Sequence, residues 1–240
     1  MKVYALTHVG RVRSVNQDTY YLPAAGENFA MVADGMGGHQ AGEIASKIAV
    51  EEFSRWLRCA PRPNEDLMKL AIIEANRAIY LKAKEEPDKK GMGTTLTALW
   101  IDANRFYMAH VGDSRAYLLR DGEMTQISRD HSLVAEMVER GEITPEEAKV
   151  HPHRHYITRA LGTSTHVVPD VCRFERKPGD VWLICSDGLS NYVGPEEMGE
   201  IMSGRGDWAH KVTRMVEMAL RRGGSDNITV VVITSDGGAV

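Results

Sequence analysis

The sequence is poor in several things that would otherwise decide its class. Aromatic residues make up 7% of the 240 positions, so a core must be built mainly from aliphatic side chains and methionine. Three cysteines, Cys59, Cys172 and Cys185, stand far apart with no CxxC pair. An odd, scattered set argues against a disulfide framework and a thiolate zinc site, and predicts reduced, buried thiols in a cytosolic protein. No run of Lys or Arg is present and the net charge is -4, which argues against a nucleic-acid partner. No apolar stretch approaches the roughly 18 residues of a membrane span. The opening MKVYALTHVG also lacks the apolar segment of a signal peptide. The expectation is a soluble, cytoplasmic chain without a membrane partner. Low-complexity tracts, linkers and internal repeats are absent too, so residues 1–240 are read as one domain.

What remains is ordinary globular composition, 43% apolar and 26% charged, enough for a substantial core without staples. Two amphipathic helices are predicted early. One runs from about Ala41 to Leu57, with Ile44, Ala45, Ile48, Ala49, Phe53 and Trp56 on one stripe. The other runs from about Asn64 to Ala83, separated from the first by Pro61 and Pro63, with Asn64 as N-cap. The middle reads as strands: Thr94 to Ile101, Arg105 to Val111, Arg115 to Arg120 and Glu123 to Ile127, with Asp121-Gly122 as a hairpin turn. Val181 to Cys185 reads as a strand buried on both faces. A helix from about Asp207 to Arg221 and a strand from Ile228 to Ser235 close the chain. The stretch 132–162 is charged and weakly periodic, and reads as a helical, partly mobile insertion. Antiparallel sheets flanked by helix pairs fit these elements.

The chemistry is carried by aspartates. FAMVAD ends in Asp34, VWLICSD ends in Asp187, and Tyr107 to Val111 runs into Gly112-Asp113. Asp226 precedes ITVVVI and Asp18 precedes TYYL. Five carboxylates thus stand at junctions between an apolar strand and a loop. Acids gathered there repel one another unless cations bind, and hard oxygen donors select Mg²⁺, Mn²⁺ or Ca²⁺ over zinc. Gly35 and Gly188 follow two of the acids, where glycine permits φ > 0 or close approach to an ion. Each Asp-Gly taken alone is also an ordinary turn.

Six motifs occur in a fixed order: GRVRSVNQD (10–18), VADGMGGHQAG (32–42), GMGTTL (91–96), HVGDSRAY (110–117), LICSDGL (183–189) and GGSDNITVVV (223–232). In these the chain resembles the metal-dependent PPM family of protein phosphatases, also called type 2C, in its bacterial single-domain form. The resemblance spans nearly the whole chain. It implies an α+β fold, a central sandwich of two antiparallel sheets flanked by helix pairs, with a variable flap around 132–162. It implies hydrolysis of phosphoserine and phosphothreonine in proteins by a metal-activated water attacking phosphorus in line. Two core Mn²⁺ or Mg²⁺ ions are implied, with a third, weaker one. Asp34 resembles the bridging ligand, with the Gly35 carbonyl on one ion. Asp187 and Asp226 resemble direct ligands, Asp18 an acid holding metal-bound waters, and Asp113, with Asp187, the third-ion position. Arg13 resembles the guanidinium that grips the phosphate, a task suited to a planar, permanently charged fork. His39 lies where a histidine is proposed as general acid, against an even alternative of a structural histidine opening a helix. Gln17 stands where many members carry Glu, which limits it to hydrogen bonding.

Other positions carry blander readings. Thr94 and Thr95 read as structural hydroxyls, and Arg115 as a partner for an acid. His151, His153 and His155 alternate along an extended segment and cannot easily all face one ion; contact with substrate is the better reading. The expected partner is a phosphorylated protein modified by a cognate Ser/Thr kinase, met by a monomer. Two competitors keep the same scaffold: an inactive phosphoprotein-binding pseudophosphatase, and a hydrolase of small phosphate esters.

Overall fold

A computed structural model of the chain describes residues 1–38, 41–60 and 62–234; His39, Pro61 and Ser235 lie outside the described residues. In chain order its strands are β1 (Lys2–His8), β2 (Asp18–Tyr21), β3 (Phe29–Met36), β4 (Gly93–Thr94), β5 (Leu96–Ile101) and β6 (Arg105–Val111). They continue with β7 (Arg115–Arg120), β8 (Glu123–Gln126), β9 (Asp170–Glu175), β10 (Val181–Cys185) and β11 (Ile228–Thr234). The helices are α1 (Ala41–Arg58), α2 (Glu65–Glu85), α3 (Leu133–Glu139), α4 (Pro145–Val150), α5 (Asp187–Ser190), α6 (Pro195–Ser203) and α7 (Trp208–Arg221).

Two antiparallel sheets form, ordered β1-β11-β10-β7-β8 and β2-β3-β5-β6-β9, with β4 paired to β3. Strict alternation along the central strands sends one set of side chains between the sheets and the other toward helices. Val32, Leu99, Phe106, Met108, Trp182, Ile184 and Val231 fill the space between sheets. Met31, Ala98 and Ala109 face α1 and α2, while Leu183, Val230 and Val232 face α6 and α7. Helix pair, sheet, sheet and helix pair therefore stack as four layers, the expected αββα sandwich.

Local chemistry places the helices as the periodicity predicts. Asn64 caps α2, its Oδ1 accepting from the N–H groups of Asp66 (2.8 Å) and Leu67 (3.3 Å). Asp207 caps α7 through the N–H of His210 (2.8 Å). In the β7–β8 hairpin Asp121 and Gly122 both take positive φ, 53° and 83°, as the tight turn requires.

Several expectations need correction. Thr94 to Ile101 is not one strand: Thr95 interrupts it between β4 and β5, where its backbone N–H turns to the carbonyl of Asp34 (2.9 Å). The charged run after Ser132 is helical as expected, but as two short helices, the second opened by a capping box between Thr144 and Glu147. Cys59 is exposed and Cys172 half-buried, and only Cys185 is fully interior. Among the described residues no helix is long and apolar enough to cross a membrane.

Candidate metal-dependent active site

Register brings the acids together. Antiparallel pairing sets Asp18 opposite Asp34 across β2 and β3. The same alignment puts the end of β10 beside the start of β11 and the start of β7, and the end of β6 beside the start of β5. Asp187, Asp226 and Asp113 leave these neighbouring strand ends toward one region. Asp34 itself is not at a strand end, since β3 continues through Gly35 to Met36; it is held within the ladder. Its N–H donates to Thr95 Oγ1 (2.9 Å), and its carbonyl accepts from Thr94 Oγ1 (2.9 Å) and Thr95 N–H (2.9 Å). The two threonines are structural hydroxyls, fixing the backbone beneath the carboxylate.

Burial and mutual repulsion shape the acids. Desolvation, and then the charges of Asp18, Asp187, Asp113 and Asp226, push the Asp34 carboxyl well above the usual range. Burial, and then the charge of Asp226, raise Asp187, while its contact with the Asp34 carboxyl and its bond from Asn191 Nδ2 (3.0 Å) act in the opposite direction. Asp113 is pushed up to about 8, by burial first and then by Asp187 and Asp130. Asp18 is raised to about 7 by burial, even though its Oδ2 accepts from Ser186 Oγ (2.8 Å) and Thr229 Oγ1 (2.6 Å). Its Oδ1 is buried with no hydrogen-bond partner.

Around this nucleus lies a polar frame. Arg13 is half-exposed and donates to Asp226 Oδ2 (2.8 Å); the charges of Asp34 and Asp187 also act on its guanidinium. Asn227 stitches the 9–17 loop to β11: its Oδ1 accepts from Gln17 N–H (2.8 Å), and its Nδ2 donates to the carbonyls of Val9 (2.9 Å) and Val15 (3.0 Å). Arg115 forms a two-pronged pair with Asp130, its Nε and NH2 reaching Asp130 Oδ2 at 2.9 and 2.7 Å, so the expected acid partner is found.

The glycines beside the acids act through space rather than through φ, for neither Gly35 nor Gly188 takes a positive value. A Cβ on Gly35 would stand 2.1 Å from the Gly42 carbonyl oxygen, and one on Gly188 1.9 Å from that of Asn227. Main chain is packed against main chain where the acids converge.

Of the three alternating histidines, His151 and His153 lie ring to ring at 5.5 Å, and His153 meets Tyr156 edge-on. His155 is close enough to act on Asp187. Sequence reasoning missed Ser186, Thr229, Asn191 and Asn227, which hold Asp18, Asp187 and the Arg13 loop. Their signal was adjacency: Ser186 precedes Asp187, and Asn227 follows Asp226.

Among the described residues no three His, Cys, Asp or Glu side chains form a ready-made metal cage. The donor set nonetheless fits hard divalent cations: buried and half-buried carboxylates pressed together against their own repulsion, with an unpartnered carboxylate oxygen among them.

The comparisons agree with this geometry. The sequence model of protein phosphatase 2C matches residues 8–232. The chain is 46% identical over 226 residues to the serine/threonine protein phosphatase PstP of Mycobacterium tuberculosis, covering 93% of this chain and 43% of that protein. It therefore spans less than half the length of that relative. It is 38% identical over 241 residues to the protein phosphatase PhpP of Streptococcus pneumoniae, covering 98% of this chain and 97% of that one. The solved catalytic domain of PstP in complex with 2 manganese ions superposes with a TM-score of 0.87 at 42% identity, covering 96% of each chain. The match over most of the length, together with the four-layer sandwich and its aspartate cluster, shows that this chain belongs to the protein phosphatase 2C family.

Proposed function

We propose that the chain hydrolyses phosphoserine and phosphothreonine in proteins, using Mn²⁺ or Mg²⁺ held by the aspartate cluster. The observation that carries this reading is the convergence of Asp18, Asp34, Asp113 and Asp187, buried or half-buried and each pushed upward by burial and by neighbouring acids, beside a half-exposed guanidinium. Such a cluster is costly unless cations repay it, and a permanent cation at its rim suits a dianionic phosphate. The manganese-bound relative supports the choice of ions.

In this assignment Asp34, Asp187, Asp226 and the Gly35 carbonyl would hold two core ions. Asp113 with Asp187 would hold a third, weaker ion. Bound divalent ions would supply Lewis acidity and lower the pKa of water. The chain's own residues do the rest. Asp18, braced by Ser186 and Thr229, would use its unpartnered Oδ1 to hold water beside the cluster. Arg13, freed from Asp226 by an incoming phosphate, orients the equatorial oxygens and stabilises their charge. His39 donates the proton to the departing Ser or Thr oxygen, a task an imidazole can perform near neutral pH. Substrates are phosphorylated proteins modified by a cognate Ser/Thr kinase, met in the cytoplasm by a monomeric enzyme whose 132–162 segment acts as flap.

The test is phosphate release from a phosphothreonine peptide in Mn²⁺, in Mg²⁺ and in excess EDTA, with Asp34→Asn and Asp187→Asn as controls. Release that requires metal and disappears in both variants supports the reading. No release from demonstrably folded protein with either metal overturns it.

A further inference from the structure

Asp113 reaches the cluster from a turn, and a turn holds a carboxylate only as firmly as it is itself held. Gly112 has φ +112° and lies so close to Thr95 that a Cβ would stand 2.5 Å from its Cγ2. The other side of this turn is gripped by His131, whose side chain is nearly fully buried. Gly112 N–H donates to His131 Nδ1 (3.1 Å), and His131 N–H donates to the Gly112 carbonyl (2.7 Å).

The first of these bonds fixes the imidazole tautomer. Nδ1 accepts, so the ring proton sits on Nε2, which faces Asp170 Oδ2 at 3.1 Å. Arg159 NH1 donates to the other oxygen, Asp170 Oδ1, also at 3.1 Å. Its 3.2 Å approach to His131 Nε2 is then a meeting of two donors on one carboxylate. The backbone adds a third link, for the His131 carbonyl accepts from Thr158 N–H (2.8 Å). Thr158 lies in the segment that returns from α4 to the sandwich. That segment is pinned again where Leu161 and Thr94 exchange backbone bonds of 2.8 and 3.1 Å. One residue thus joins the Asp113 turn, the end of the 132–162 insertion and the first residue of β9.

We infer that His131 is a positioning residue, which fixes the Gly112–Asp113 turn through Nδ1 and couples the placement of the Asp113 carboxylate to the end of the insertion. This rests on the proposed metal-dependent function, because Asp113 is assigned there to the weaker ion. An aliphatic residue of similar size could fill the space but could not accept from Gly112. Asparagine can, because its side-chain oxygen reaches the place of Nδ1; glutamine reaches instead toward the place of Nε2.

The experiment is calorimetric titration of the full chain with Mn²⁺, using Asp113→Ala to identify the binding event that depends on Asp113. His131→Leu is expected to weaken that event by about tenfold or more, the usual effect of removing a group that orients a ligand, and to leave tighter binding unchanged. His131→Asn is expected to restore it. If His131→Leu does not fold, His131→Gln takes its place and is expected to bind as weakly. Equal binding by His131→Leu (or His131→Gln) and the wild type overturns the inference, as does equal weakening by Asn. Titration does not depend on turnover. Failure of phosphate release with these Mn²⁺ differences intact defeats the phosphatase reading alone. Metal-dependent release without any Asp113-dependent Mn²⁺ binding defeats this inference alone.

Discussion

Replacing Asp18 with asparagine should stabilise the metal-free protein while disabling its site. Burial raises the Asp18 carboxyl from 3.8 to about 7, so the fold favours its protonated form. That contribution is complete below pH 3.8 and is lost as pH rises through about 7. Ionising the folded group above that point costs roughly 4 kcal/mol relative to the unfolded chain. Asparagine avoids this cost and can still accept from Ser186 and Thr229, as Asp18 Oδ2 does. It also places an amide where Asp18 Oδ1 has no partner, at a penalty of about 1–3 kcal/mol. The net gain in excess EDTA is therefore about 1–3 kcal/mol at pH 8. It should fall by up to about 3 kcal/mol between pH 8 and pH 5, where the wild-type carboxyl is largely protonated. Urea unfolding at the two pH values, followed by tryptophan fluorescence, measures both quantities. Saturating Mn²⁺ should then favour the wild type, and Asp18→Asn should lose most phosphate release. A variant that is destabilised at pH 8, or whose effect is the same at both pH values, refutes the reasoning.

Other outcomes follow from the packing. Gly188→Ala drives a Cβ to 1.9 Å from the Asn227 carbonyl oxygen, between Asp187 and Asp226. It should cost roughly 1–3 kcal/mol and reduce Mn²⁺ affinity together with the midpoint of chemical unfolding. His110 is buried and held neutral, its pKa lowered to about 4 by burial first and then by His131. Its contribution is therefore present above pH 6.5 and lost as pH falls through about 4. His110→Gln should make the acid side of the stability profile shallower by up to roughly 3 kcal/mol across that window, read as unfolding free energy at successive pH values. Arg120 pairs through two bonds of 2.8 and 2.7 Å with Asp180, a carboxylate almost wholly buried. Arg120→Met leaves that acid without its ion-pair partner, held only by the Lys177 N–H (2.8 Å), and should cost about 3 kcal/mol in urea unfolding, with little effect on metal binding.

Periodicity was enough to locate α1, α2, α7 and most central strands, because burial on one face writes itself into local sequence. It was not enough for β1 and β9. Both are sheet-edge strands of largely intermediate burial, and a half-buried edge shows no clean alternation. The pairing that sets Lys2 opposite Thr234 joins the two ends of the sequence and leaves no trace in either segment alone. The site divides along the same line. Motifs supplied Asp18, Asp34, Asp113, Asp187 and Asp226 and their expected chemistry by resemblance, since acids beside glycines in fixed order are local features. The helpers Ser186, Thr229 and Asn227 are ordinary residues until Asp18 lies against the start of β11.

The sequence by itself determined the long helices, most central strands and which acids stand at or near their ends, because propensity, capping and burial pattern act over a few residues. Only the tertiary structure decided that Asp34 sits inside a strand opposite Asp18, that Gly35 and Gly188 serve close backbone contact, and that His131 grips the Gly112 turn. Those outcomes depend on register between strands far apart in the chain, and register is set by the packing of two sheets against each other.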